Sequence, residues 1–309
     1  MKHHTLHGDR HHFCWDNQLP PALEVEPGDT VELEIRDASD GQITRTSTAG
    51  DIGRLDFARV NPVTGPIFVR GAEPGDALIV EILELALGDW GWTGIIPGFG
   101  LLASDFPQPY LQISRYQASG IEFLPGISLP TRPFIGTLGL ALAESGQHSV
   151  IPPRRVGGNL DCRDLRRGTR AYFPVEVAGA LLSIGDTHAA QGDGEVCGTA
   201  IETALGVRIR IGLEKQKPLR NPRFDVPADP VPEPSGHFVT LGIGPDLMAA
   251  ARDAVREMID HLMAEYGLSP EQSYCLCSVA VHLRLSEVVD VPHWVVSAYL
   301  PNSLFPGRG

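Results

Sequence analysis

Between Ile184 and Glu202 the chain reads Ile-Gly-Asp-Thr-His-Ala-Ala-Gln-Gly-Asp-Gly-Glu-Val-Cys-Gly-Thr-Ala-Ile-Glu, four carboxylates and one histidine set among glycines. Asp186 and His188 stand two apart, so on an extended strand both side chains point to one face, and Asp193 and Glu195 repeat the relation. A histidine nitrogen beside Asp and Glu oxygens is a donor set for a divalent ion such as Zn²⁺, which in catalytic sites keeps one position open for water. No His-Glu-x-x-His spacing is present, so the ligands must be assembled from separated segments. A second cluster, Pro152 to Asp164, carries Gly157-Gly158-Asn159, whose permissive backbone can deliver Asp161 into a cleft. Further candidate regions are Arg36–Asp51 and the Trp- and Gly-rich Gly91–Gly100, which can wall a pocket.

The elements that hold these residues are mostly short and β-branched. Glycine and proline divide the first 240 residues into strand-like runs, among them Thr30–Ile35, Ile67–Arg70, Ala77–Leu85, Ala171–Val177 and Val207–Ile211. The apolar run Gly179–Ile184 leads straight into the polar motif, so the motif emerges from a buried strand. Glu26-Pro27-Gly28-Asp29 before Thr30–Ile35 is echoed by Glu73-Pro74-Gly75-Asp76 before Ala77–Ile82, and more faintly by Arg167-Gly168-Thr169; each predicts a tight turn feeding a strand. Helical spacing runs only from Pro245 to Tyr266, stopped by Gly267, with strands expected at Phe238–Ile243 and Cys275–Leu285 on either side. The proline-rich Lys217–Pro234 is expected to be an extended crossing. The fold class is therefore mainly β, a sandwich or barrel, with a smaller α/β portion near the C-terminus: α+β overall, with a β-rich part over 1–150 and the motif and α/β layer over 151–309, tightly integrated.

A net charge of −13 without a basic run argues against nucleic acid and suits a neutral or cationic small molecule. No apolar run reaches the length of a membrane span and no signal-peptide pattern opens the chain, so a cytoplasmic location without membrane contact is expected. Five cysteines, Cys14, Cys162, Cys197, Cys275 and Cys277, show no CxxC pair and read as reduced thiols; Cys162 and Cys197 lie within the two acidic clusters and are weighed as nucleophiles. The N-terminal His3, His4, His7, His11 and His12 look metal-like by number but are expected to lie in a mobile polar segment.

The run Gly185–Glu202 resembles the signature of the acetamidase/formamidase family. The likeness extends through Pro152–Asp161, Val60–Pro66, Gly71–Asp76 and Leu283–Pro292, and so covers nearly the whole chain. It implies a β-rich fold, a homodimer or higher assembly, a bound divalent metal, and hydrolysis of a short carboxamide to acid and ammonia. The positions that match the family's site are Asp161, His188 and Glu195, with Asp186, Asp193 and Glu202 close by. Thr187 stands where the family commonly has cysteine, and His282 where an aspartate is more readily expected.

The expected chemistry is metal-assisted amide hydrolysis. His188, Asp161, Asp186, Asp193 and Glu202 form the ligand pool for the metal, Zn²⁺ before Ca²⁺, and Glu195 carries the proton. Two rivals remain at this stage: a non-catalytic β-barrel in which the cluster fixes a structural Ca²⁺, and an amidase using Cys162 or Cys197 as nucleophile.

Overall fold

The computed structural model describes residues 1–117, 120–228, 236–289 and 291–305. Alternation in Thr30–Ile35 puts Val31, Leu33 and Ile35 inside and Glu32 and Glu34 outside, the pattern of a strand with one buried face. It pairs antiparallel with Leu205–Glu214, where Val207 and Ile209 face Leu33 and Val31 in register. The complete six-stranded sheet runs His3–Leu6, Thr30–Ile35, Leu205–Glu214, Ala77–Leu87, Arg170–Pro174, Arg223–Asp225. A second sheet runs Gly157–Asn159, Phe134–Gly139, Leu182–His188, Val63–Val69, His11–His12, with Leu23–Val25 added beside Val63–Val69. The two close on one apolar core, Val31, Val80, Ile82 and Ile209 from the first against Ile67, Ile135, Leu182 and Ile184 from the second. The architecture is thus a β-rich α+β fold, and both sheets draw strands from either side of residue 150.

The echoed turns take the same form. Gly28 and Gly75 sit at φ of +98° and +93°, Asp29 and Asp76 donate their backbone N–H to Glu26 and Glu73, and each aspartate side chain accepts from the same glutamate's N–H. Gly168, at φ +88° with the Thr169 N–H donating to Arg166, supplies the third.

The C-terminal layer has a three-stranded sheet, His237–Gly244, Trp294–Pro301 and His282–Glu287, covered by the helix Leu247–Tyr266. Asp246 caps that helix through the Ala249 N–H, and Gly267, left-handed at φ +68°, ends it. The expected strand Cys275–Leu285 is corrected: Pro270–Ala280 is a second helix and the strand begins only at His282. Residues 273–280 are buried on every side, so the run shows no helical stripe, and periodicity alone does not separate a buried helix from a buried strand. The local signal is at its start, where Ser269 and Gln272 form a reciprocal capping box with Pro270 in the first turn. Ser269→Ala should cost about 1 kcal/mol and lower the thermal midpoint by about 2–4 °C, measured by calorimetry.

The N-terminal histidines are also corrected. His3–Leu6 is a parallel edge strand on Thr30–Ile35, His4 Nε2 meets Asp29 at 2.9 Å, and His12 Nε2 meets the Ser183 hydroxyl at 2.9 Å. Alternating contacts along a neighbouring strand order a segment whose composition looks polar. Within Lys217–Pro234, Arg223–Asp225 forms an edge strand on Arg170–Tyr172, and residues 229–234 lie outside the described residues. Among the described residues, no helix is long and apolar enough to cross a membrane.

Candidate metal centre and pocket

Leu182–His188 is buried from end to end and lies between Phe134–Gly139 and Val63–Val69. Its final residues are the first half of the polar motif, so Asp186 and His188 are fixed by a central strand rather than a loop. The same-face expectation for this pair is met: Asp186 Oδ1 lies 3.2 Å from His188 Nε2. Phe134 sets the imidazole by an edge-on contact, ring centroids 4.8 Å apart.

The chain then leaves the sheet and comes back. Ala189 N–H donates to Ile201, Ile201 N–H to Ala190 and Thr203 N–H to Thr187, closing the excursion and returning Glu202 beside His188, with Glu202 Oε2 3.2 Å from Nε2. The strand Trp90–Ile95 grips the return through reciprocal backbone bonds between Trp92 and Glu202. The buried helix Pro270–Ala280 braces the outward arm: Gly192 N–H donates to the Ser278 carbonyl and Cys197 N–H to its hydroxyl. Glu202 itself accepts from the Ala200 N–H at 2.8 Å.

Asp161 arrives from the second cluster. Gly157–Asn159 is an edge strand on Thr137–Gly139, and a Cβ on Gly157 would stand 2.4 Å from the Leu138 carbonyl oxygen, so only glycine admits this approach. Asn159 Nδ2 then donates to Asp161 Oδ2 at 2.9 Å, while Thr137 donates to Asn159 Oδ1 at 2.5 Å. Gln191, on the motif loop, donates to the Asp161 carbonyl at 2.8 Å and ties the two clusters together.

The ligand-capable atoms of Asp161, Asp186 and His188, and likewise those of His188, Glu195 and Glu202, lie within 4.8 Å of one another. Asp161, Asp186 and Glu195 all hold left-handed backbone, φ +46°, +48° and +43°, a conformation that costs non-glycine residues energy and persists where the surroundings enforce it. Asp193 is not brought in. The turn through Gly192–Glu195 breaks the alternation on which its expected partnership with Glu195 rested, and Asp193 instead pairs with Arg163 at 3.0 Å beside His282.

Four carboxylates around one imidazole cannot all be ionised at this burial without a compensating cation. Burial, and then the Asp186 charge, push Asp161 up to about 8. Burial and then Asp161 hold Glu195 well above the carboxylate range, and burial lifts Glu202 to about 7 against the pull of His188. For Asp186 the desolvation cost is outweighed by His188, and its carboxyl stays below its ordinary value. Burial alone would lower His188, but Glu202 and Asp186 beside it prevail and hold it well above its ordinary value. The protein alone therefore meets its own charge with protons. Among the described residues, Asp161 Oδ1 and His188 Nδ1 find no hydrogen-bond partner although both atoms are buried. An orphaned carboxylate oxygen and an orphaned imidazole nitrogen amid excess acid fit a divalent cation.

Gly136 is a residue of this site that sequence reasoning missed. A Cβ there would lie 2.6 Å from His188 Cε1 and the Asp186 carbonyl oxygen, and 2.8 Å from Asp161 Oδ1. A lone glycine inside the apolar run Phe134–Leu138 was the available signal, because it marks a close approach. Gly136→Ala should displace all three neighbours and lower turnover by about 10²-fold or more, read as kcat/KM alongside calorimetric metal binding.

A pocket of about 300 Å³ opens onto Asp161, Asp186, Glu195 and Glu202. Both further candidate regions meet here: Ala38 and Ser39 from Arg36–Asp51, and Trp92, Ile96 and Phe99 from the expected wall Gly91–Gly100. Trp90 is not in this lining; it faces a neighbouring cleft. Of the cysteines, Cys197 is fully buried with its sulfur 3.6 Å from the Gly94 and Thr199 carbonyl oxygens, and burial pushes the Cys162 thiol up. Neither lines the pocket.

Comparison with known proteins places the whole chain beside amide hydrolases. The acetamidase/formamidase family model matches residues 2–147 and 141–306. The chain is 31% identical to a formamidase of Methylophilus methylotrophus, covering 95% of this chain and 89% of that one. It is 30% identical to an acetamidase of Mycolicibacterium smegmatis, covering 86% and 84%. Among solved structures it is similar to a γ-lactamase from Delftia acidovorans, with TM-score 0.92, 28% identity and coverage of 98% and 93%. It is also similar to an acetamidase from Bacillus halodurans, with TM-score 0.69, 33% identity and 96% of each chain covered.

Proposed function

The chain belongs to the acetamidase/formamidase family, and from that premise we propose that it hydrolyses the C–N bond of a small carboxamide to carboxylate and ammonia with the help of a bound divalent metal. The observation that carries the metal is the cluster of buried Asp186, His188 and Glu202 with half-buried Asp161 and Glu195, and the orphaned donor atoms on Asp161 and His188. Asp161, Asp186, His188 and Glu202 would hold the ion, Zn²⁺ in preference to Ca²⁺ because an imidazole nitrogen belongs to the set. When bound, the ion supplies Lewis-acid polarisation of the amide carbonyl and acidifies water.

The chain's own residues do the rest. Glu195 lines the pocket and is partly open to it, with its carboxyl raised well above its ordinary value by burial and by Asp161. It takes the proton of the attacking water and returns it to the departing nitrogen, the transfer an unactivated amide needs because amide anion is too poor a leaving group. Asn159 fixes the orientation of Asp161, Asp186 orients the imidazole of His188, and the Ala200 N–H orients Glu202. Trp92, Ile96 and Phe99 close the apolar side of the cavity and limit water around the reacting carbonyl.

Chelation tests this against both rivals. Ammonia release from formamide or acetamide should cease after dialysis against a chelator, return on adding Zn²⁺, and withstand thiol reagents. Loss of thermal stability without any amidase activity to lose would favour a structural ion instead. Inactivation by thiol reagents with indifference to chelator would favour a cysteine nucleophile.

A further inference from the structure

We infer that the substrate is a primary carboxamide with a branched or cyclic apolar acyl group, rather than formamide or acetamide; this rests on the amidase reading above and specifies it. The cavity in front of the carboxylates measures about 300 Å³. Pockets of roughly 300–1,000 Å³ take drug-sized ligands, and this one reaches that range, whereas formamide and acetamide have only three and four non-hydrogen atoms. A short amide would leave most of the cavity filled with water against apolar walls.

Those walls are specific. Leu55, Phe57, Ile96, Phe99, Ile151 and Trp92 line the cavity, and the acids stand together as a single cluster. The polarity of the ligand must follow: an amide head at Asp161, Asp186, Glu195 and Glu202, and an apolar body against the remainder. The direction of the amide follows from Glu195. Its proton goes to the nitrogen, so the nitrogen faces Glu195, and the motif loop carrying Glu195 packs against Phe99 through Gly198. The acyl carbon then turns away from Glu195, toward the apolar part of the lining, to which Leu55 and Phe57 belong. Phe57 lines the cavity while 59% exposed, so its ring has free apolar surface that a ligand in the cavity can cover.

The test uses the full chain loaded with Zn²⁺ and the probes formamide, acetamide, isobutyramide and cyclohexanecarboxamide, with kcat/KM read from ammonia release. The expected result is a rise of about fourfold per added carbon, on the order of 10³-fold over the five carbons from acetamide to cyclohexanecarboxamide. Phe57→Ala should cut the cyclohexanecarboxamide-to-acetamide ratio about tenfold. N-Cyclohexylacetamide, which carries its apolar group on nitrogen, should gain nothing over N-methylacetamide. A flat or falling acyl series overturns the inference while leaving the amidase reading intact. A gain on the nitrogen side overturns the acyl placement. Failure to hydrolyse any of the amides removes the amidase reading, and this inference with it.

Discussion

Glu195→Gln should lower amide turnover by about 10³-fold, within the range general acid–base groups contribute, while the protein still takes up its divalent ion. Glutamine keeps the shape and reach of glutamate but carries no transferable proton. The left-handed backbone at Glu195 and the hydrogen bonds that close the motif loop do not depend on its carboxylate, so the site should remain assembled. The measurements are kcat for ammonia release and metal content by elemental analysis on the same preparation. Metal retained with near-normal kcat would remove Glu195 from the proton-carrying role. Loss of metal together with activity would instead make it a ligand beside His188 and Glu202, with which its carboxylate is also grouped.

The second large effect is on stability, and its sign reverses with metal. In the metal-free protein Asp161, Glu195 and Glu202 hold protons that the unfolded chain releases near pH 4, and His188 holds one that the unfolded chain releases near 6.5. From about pH 4 up to about 8 the native state thus binds more protons than the unfolded state, and the free energy of unfolding falls as pH rises. Asp186 acts in the opposite sense, its contribution being lost only below pH 4 as its depressed carboxyl protonates. A divalent ion takes the place of the protons, so its binding releases them and strengthens with pH. Thermal midpoints should therefore drop between pH 5 and pH 8 in chelator. At pH 8 and a hundredfold excess of Zn²⁺ over Kd they should rise by about 5–10 °C, the effect of about 2.7 kcal/mol of ligand stabilisation. A metal-free midpoint that climbs over this interval would show that the cluster does not hold protons in the native state.

What the sequence disclosed of this site, and what it withheld, follows from the range of the interactions. Asp186 and His188 were legible because a strand makes residues two apart into neighbours, and Asp161 because Gly157 and Gly158 announce an unusual backbone path. Asp193 misled because strand alternation was carried across a glycine-flanked turn, where it has no meaning. Gly136 announced only that something comes close: its role lies in what it leaves empty, and that space is defined by residues 25 to 52 positions away. In the fold, the runs with one wet face were legible, as at Thr30–Ile35, and so was the amphipathic helix ending at Tyr266. The helix Pro270–Ala280 was not, because a wholly buried segment has no polar face to set its period.

The interleaving of the two sheets bears on how the chain is made. Leu182–His188 and Leu205–Glu214 each lie between strands from the first 140 residues, the latter directly between Thr30–Ile35 and Ala77–Leu87. The second sheet is not continuous until residue 188 has left the ribosome, nor the first until residue 214, so the earlier strands wait with open apolar edges during synthesis. At about 5–20 residues per second, the roughly 180 residues that separate Thr30–Ile35 from its partner amount to about 10–35 seconds of exposure. The acids of the site, which lie on the segments that arrive late, complete the cluster only after the barrier of long-range pairing has been crossed.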